Sequence, residues 1–286
     1  MLTSYSGRML LNSCPRKFQL RKVYGIGDRE DTEENPNFAF GLAVEAGVVE
    51  FTKSKSLARA AVACFAGWDI DLFAERKDKS IWNALVLMDI IAQQPEFQDS
   101  DFEVAILEGK PAIQVGYSID CGDGYFERGY IDLILYSKSA QLYTVVEIKT
   151  TGANVVHPES YQNSAQGTGY VVVLDAILRK LGLAAGQNFN VLYIVAQVPY
   201  FNVHLFPFPK GARHKLEWLL TLLLDKKKLQ SFEEEDFYPK HGQSCVAFNR
   251  ACSYFGECHT SLAGFPKAKQ EIVLGDYDYN FTLEDL

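Results

Sequence analysis

Apolar residues keep helical spacing through the N-terminal third of the chain and change to strand spacing near Phe102. Residues 4–23 predict a helix opened by Ser or Thr caps, with Met9, Leu10 and Phe18 at its apolar positions. Residues 25–37 are polar, acidic and Pro-containing, and predict a loop. Residues 38–51, 57–68 and 80–91 predict three more helices. Beyond Phe102, the runs 104–107, 112–117 and 130–136 predict strands, with Cys121-Gly122-Asp123-Gly124 as a hairpin-type turn. Residues 142–149 form the next strand, and their unbroken apolar middle places it inside a sheet. A long amphipathic helix is predicted over 160–181 and a buried strand over 190–198. A partner strand over 201–206 follows across the Pro199-Tyr200 turn. A last helix over 216–229 ends in Lys226-Lys227-Lys228, where cations suit the helix dipole.

This order implies an α/β fold: one mixed domain over 1–265 with a helical insertion near 53–100. Residues 241–260 form a Cys-rich segment. Residues 266–286 form an acidic, aromatic tail, poorly ordered or docked on a partner. No internal repeat or low-complexity segment is present. The 286 residues can bury a large core, and the hydrophobic share of 48% with 22% charged residues is that of an ordinary globular chain. No apolar run is long enough to span a membrane, and the N-terminus lacks the layout of a secretion signal. A cytoplasmic location in a bacterial or phage-infected cell is therefore expected, and the Asn280-Phe281-Thr282 sequon carries no meaning there. The net charge of −8 argues mildly against a nucleic-acid binder. It does not exclude a basic groove, for which Arg16-Lys17 and Arg21-Lys22 are candidates; a solvated helix face fits them equally.

The chemistry concentrates in two strings. Asp132 lies in the apolar run Gly129-Tyr130-Ile131-Asp132-Leu133-Ile134-Leu135, and Glu147 and Lys149 lie in Thr144-Val145-Val146-Glu147-Ile148-Lys149. Strand residues two apart share a face, so Glu147 and Lys149 point together and Ile148 turns into the core. Two carboxylates, aided by the backbone carbonyl of Ile148, suit a hard cation such as Mg²⁺ or Mn²⁺. Lys149 can orient an attacking water and offset charge on a phosphate. The same residues fit a Glu147–Lys149 salt bridge with Asp132 at a strand end. Glu45 is a lone acid in a small-residue apolar helix, where Gly41, Ala43, Ala46 and Gly47 permit close packing against a sheet or backbone. It is either a third ligand or a surface residue. Gln166 and Tyr170 share a helical face, able to reach Lys149 or a phosphate, or simply half-buried.

Six cysteines are present, and without a secretion signal metal binding or burial is favoured over disulfides. Cys64 sits mid-helix and reads as core, while Cys121 borders a turn. Cys14 with Cys245-x6-Cys252-x5-Cys258 offers the four thiolates that a [4Fe–4S] cluster or a structural Zn²⁺ requires, or three reduced thiols and an early one.

In this order the motifs resemble the PD-(D/E)xK nucleases, specifically the RecB-like group of CRISPR-associated and phage exonucleases. Ser4-Tyr5-Ser6 through Cys14-Pro15-Arg16-Lys17-Phe18 is similar to that group's Ser-x-Ser … Cys-Pro-x-x-Phe segment. Gly41 to Glu45 is similar to its Gly-x-x-x-His segment. Gly129 to Asp132 resembles its Gly-x-x-Asp strand, Glu147-Ile148-Lys149-Thr150 its Glu-x-Lys-Thr strand, and Gln166 to Tyr170 its Gln-x-x-x-Tyr helix. The resemblance implies a restriction-endonuclease-like core: a mixed central sheet flanked by helices. It also implies a metal-dependent DNA exonuclease acting on single strands or duplex ends, in recombination, repair or phage DNA metabolism. Asp132, Glu147 and Glu45 would hold Mg²⁺ or Mn²⁺, with Gln166 and Tyr170 supporting Lys149 or the DNA. The cysteines would hold an iron–sulfur cluster pinning the C-terminal segment to the N-terminal helix. Glu45 stands where the group often has His, and the x6 gap is longer than usual. Two alternatives come from other classes: a catalytically weak DNA-binding or adaptor subunit docked through its tail, and a structural metalloprotein whose acids are salt bridges.

Overall fold

The computed structural model describes residues 1–26, 35–74, 78–99, 101–183, 189–247, 250–268 and 277–286, apart from the side chains of Leu2 and Ala247. Most of the loop expected over 25–37 and the start of the tail lie outside the described residues. Two compact units emerge: one comprises Met1–Thr32, Gly116–Gly129 and Leu219–Asp285, the other Glu33–Val115, Tyr130–Trp218 and Leu286.

In the first unit, strand β1 (Leu2–Ser4) leads into helix α1 (Tyr5–Ser13), whose Ser4 cap accepts from the Gly7 N–H. Cys14 then breaks the helix in extended geometry. Pro15 opens α2 (Pro15–Phe18), and a π-helical turn follows over Gln19–Val23. The single helix expected over 4–23 is thus three pieces.

The second unit carries α3 (Pro36–Ser54), α4 (Leu57–Gly67), α5 (Ile81–Ala92) and α6 (Pro95–Gln98). Asn35, Ser56 and Ser80 cap the first three with side-chain oxygens, and Lys55, at φ 52°, closes α3 in left-handed geometry. The short strands β2 (Phe102–Val104), β3 (Ile106–Leu107) and β4 (Lys110–Pro111) follow. Two longer strands, β5 (Ile113–Asp120) and β6 (Phe126–Ser137), contribute residues to both units. Next come β7 (Leu142–Thr151), α7 (Pro158–Gln162), α8 (Ala165–Lys180), β8 (Phe189–Gln197), β9 (Asn202–Lys210) and α9 (Ala212–Glu234). Strand β7 is interior, as its apolar run predicts: it pairs antiparallel with β6 and parallel with β8. Strand β9 pairs antiparallel with β8 across the Pro199-Tyr200 turn.

The main core of this unit joins α3, α4 and α5 to one face of the sheet, through Phe40, Val44, Leu87, Leu133, Val146, Ile148 and Ile194. Helix α8 packs on β7 and β8. It is not the long amphipathic helix expected. A break at Asn163–Ser164 separates it from α7, and every residue from Gly167 to Leu178 is buried, Asp175 among them through its 2.7 Å ion pair with Lys215.

The tail also differs from expectation. Strand β12 (Tyr279–Thr282), which follows the short pair β10 (Val246–Ala247) and β11 (Arg250–Ala251), pairs parallel with β5 from Tyr117 to Asp120. Tyr277, Tyr279 and Phe281 are buried, and the Tyr277 hydroxyl accepts from Arg128 at 2.8 Å. Alternation of aromatic and polar residues over 277–282 is strand periodicity; the acidic surroundings, Asp276, Asp278, Glu284 and Asp285, obscured it. Among the described residues no helix is long and apolar enough to cross a membrane.

Candidate active site

Pairing of Leu133 with Val146 sets Asp132 across from Glu147, on the face opposite the main core. The Ile148 N–H donates to Asp132 Oδ2 at 3.2 Å, and the Ile148 side chain joins the core. Glu147 is 1% exposed, ion-paired through Oε1 to Lys149. Its other oxygen, Oε2, is buried without a hydrogen-bond partner. Glu45 comes from α3, which packs on β7, and accepts a hydrogen bond from the Gln114 side chain.

The three acids sense one another. Burial pushes Glu45 up to about 7, the Asp132 charge adds to the rise, and Lys149 opposes it. Glu147 is raised by burial first, then by Asp132 and more weakly by Glu45, against Lys149. Asp132 is raised by burial and eased by the Ile148 N–H and Lys149. One lysine therefore stands among three carboxylates that resist ionising together, a charge balance that a divalent cation would correct. No group of three or more His, Cys, Asp or Glu is preset at metal-holding geometry among the described residues. Glu147 faces Lys149, and Glu45 faces Gln114.

Gln166 donates to the Tyr170 hydroxyl at 2.8 Å, so these two meet on α8 as their spacing predicts, and Tyr170 is buried. Sequence reasoning missed two residues beside the acids. Gln114 adopts φ 49°, left-handed geometry rare for a residue with a side chain, and no sequence signal announces it. Tyr161, on α7, lies close enough to Lys149 for that charge to act on its hydroxyl. Its place just ahead of Gln166 was the only signal available.

In the first unit, burial raises the Cys258 thiol, and the Cys14 and Cys245 thiols act on it electrostatically. Cys252 packs against the Leu20, Tyr254 and Leu262 cluster, and its N–H donates to the Cys245 carbonyl at 2.8 Å. Arg16, a candidate groove residue, instead holds this segment: it donates to the carbonyls of Cys258 at 3.3 Å and Thr260 at 2.8 Å. Lys17 lies 5.4 Å from the centre of the Tyr254 ring. Cys64 is fully buried between helices, as expected of a core residue.

The family model of the PD-(D/E)XK nuclease superfamily matches residues 3–259. The chain belongs to that superfamily. Its mixed sheet flanked by helices is the restriction-endonuclease-like architecture. Among solved structures, the chain is similar to a protein of Eubacterium rectale named "Putative exonuclease", at 12% identity, covering 96% of this chain and 92% of that one with a TM-score of 0.48. A protein named SSO0001 is 14% identical, with 74% and 82% covered and a TM-score of 0.27. No curated protein matches the chain. Membership makes the chain a nuclease by family.

Proposed function

We propose that the chain is a metal-dependent deoxyribonuclease working as an exonuclease, with its centre at Asp132, Glu147 and Lys149. The observation that carries this reading is the buried, unpartnered Oε2 of Glu147, set among two further acids and a lysine. A buried carboxylate oxygen left without a donor costs about 1–3 kcal/mol or more, and a cation is the partner that removes the cost. The oxygens of Asp132, Glu147 and Glu45, with the Ile148 carbonyl, make a hard donor set fit for Mg²⁺ or Mn²⁺. Such an ion supplies Lewis acidity and charge stabilisation at the phosphate.

The protein's own groups do the rest. Lys149, its side chain 41% exposed, holds its ammonium against Glu147 Oε1. There it orients the attacking water and offsets charge developing on the phosphate. Glu147 holds Lys149 in place through their ion pair, and the Ile148 N–H fixes Asp132. Gln166 and Tyr170 act as one hydrogen-bonded pair beside the strand, available to a phosphate. The test is digestion of end-labelled single- and double-stranded DNA with Mg²⁺ or Mn²⁺. Wild type should shorten the strands from an end, and Lys149→Ala should lose at least about a hundredfold in rate. Equal cleavage by both proteins would sink the assignment.

The same proposal extends to Cys14, Cys245, Cys252 and Cys258 as ligands of a [4Fe–4S] cluster, with Zn²⁺ the alternative occupant. Its support is the electrostatic closeness of three of these thiols, with the fourth tied to them through its backbone. Anaerobically purified protein should be brown, with about four irons per chain. Colourless protein with stoichiometric zinc would assign Zn²⁺ instead.

A further inference from the structure

Strand β9 carries a ladder of aromatic rings with no role in the reading above. His204, Phe206 and Phe208 alternate along it and share one face. The His204 and Phe206 ring centres are 5.7 Å apart at 19°, and those of Phe206 and Phe208 are 6.2 Å apart at 26°, so the rings run nearly parallel. All three are half-buried rather than sealed into the core. His204 is steadied by Gln197 at 3.1 Å, and Gln197 in turn holds the carbonyls of Ala153 and Asn154, just beyond the Glu-x-Lys strand.

Sheet register ties this ladder to the acids. Glu147 pairs with Tyr193, and Tyr193 with Phe206; Lys149 pairs with Val195, and Val195 with His204. The ladder and the candidate catalytic pair therefore lie on the same face, two strands or about 10 Å apart. Tyr161 bridges the gap. Its ring is 5.3 Å from Tyr193 and 5.7 Å from Phe206, while its hydroxyl senses Lys149.

We propose that His204, Phe206 and Phe208, with Tyr161, form a stacking platform for the unpaired bases of a single-stranded nucleic acid whose backbone reaches Lys149. This rests on the nuclease reading and names its substrate class. Flat, parallel, partly exposed rings suit bases, because every base presents a π-face and stacking tolerates any sequence. Paired bases inside a duplex offer no such face. An added protein strand fits poorly: β9 ends the sheet order, and its Pro207 and Pro209 lack the N–H donors that strand addition needs.

Two oligonucleotides of equal length decide the matter: one normal single-stranded DNA, the other an abasic backbone of the same charge. Wild type should bind the normal strand at least about fivefold more tightly than the abasic one, the worth of one modest stack. Phe206→Leu keeps an apolar side chain without the flat ring, and should lose that preference while binding the abasic strand as wild type does. His204→Ala, in a half-exposed position, supplies the same comparison if Phe206→Leu unfolds. An unchanged preference in a folded variant would overturn the platform even if wild type degrades DNA. Wild type that degrades neither single-stranded nor duplex DNA would instead overturn the nuclease reading beneath it.

Discussion

Replacing Gly47 by Ala tests how the fold seats Glu45. Gly47 lies two residues after Glu45 on α3. A Cβ there would fall well inside contact distance of Cys64 Sγ and 2.8 Å from Met88 Sδ, both on helices packed against α3 and both essentially unexposed. The glycine thus serves helix–helix approach, not the sheet or backbone packing that the small-residue run suggested. Overpacking of this kind costs about 1–3 kcal/mol, against a gain of about 0.5–1 kcal/mol because Ala suits a helix better than Gly. The net loss should be about 1–2 kcal/mol, read by urea unfolding monitored through tryptophan fluorescence. Cys64→Ala alone leaves a hole the size of one sulfur, at about 1 kcal/mol. Combined, the new methyl enters the space that the sulfur left, while the flexible Met88 thioether turns aside. The double variant should therefore be more stable than the sum of the singles predicts by at least about 1 kcal/mol. Mn²⁺ affinity should fall in Gly47→Ala and recover in the double variant, because Glu45 moves with its helix. A neutral or stabilising Gly47→Ala, or strict additivity, would refute the packing argument.

Glu127, in the first unit, offers a separate pH test. Arg8 lies 2.8 Å from Asp225 and 3.7 Å from Glu127, so the buried cation serves Asp225 first. Burial pushes Glu127 from an ordinary 4.5 up to about 7, with Arg8 and the Thr3 hydroxyl opposing the rise. The folded chain then keeps this proton to higher pH than the unfolded chain. The stability it confers is complete below the unfolded value and declines by roughly 3 kcal/mol as pH rises to the folded value. Glu127→Gln should flatten that decline, and parallel pH profiles for the two proteins would contradict it. Gln114→Ala should weaken Mn²⁺ binding by about tenfold or more while leaving unfolding nearly unchanged, since it removes only the group that orients Glu45; calorimetric titration showing equal affinity would remove Glu45 from the ligand set.

The interior place of β7 was legible because a strand buried on both faces must be apolar throughout, and Val145-Val146 beside Ile148 leaves few other readings. The Gln166–Tyr170 contact was legible because spacing on one helix fixes it. Other features were not, for physical reasons. The burial of α8 is set by what packs around it: a Cβ at Gly167 would lie 2.9 Å from Val191, and one at Gly169 would lie 2.7 Å from the Trp218 ring. No periodicity within the helix encodes those neighbours. The left-handed backbone of Gln114 contradicts its own preference, and only tertiary structure can impose it. The strand in the tail depends on β5, far away in sequence, to which it adds an edge.

Residues that break local rules occur in several places, Lys55 and Glu127 among them, and three of them bear on one place. Glu147 is an acid buried in an apolar strand, Gln114 is left-handed at the start of β5, and Gly47 sits mid-helix where Ala would serve the helix better. Each of these three bears on the same three carboxylates: Glu147 is one of them, Gln114 holds Glu45, and Gly47 lets α3 settle with Glu45 near Asp132 and Lys149. A structural salt bridge between Glu147 and Lys149 would need none of this. It would be satisfied by two residues on one strand, and it would supply no partner for the buried Glu147 Oε2. On the proposed reading, the local costs that meet at these three acids are those of a site that receives a cation, which would balance charges that the protein groups leave unbalanced.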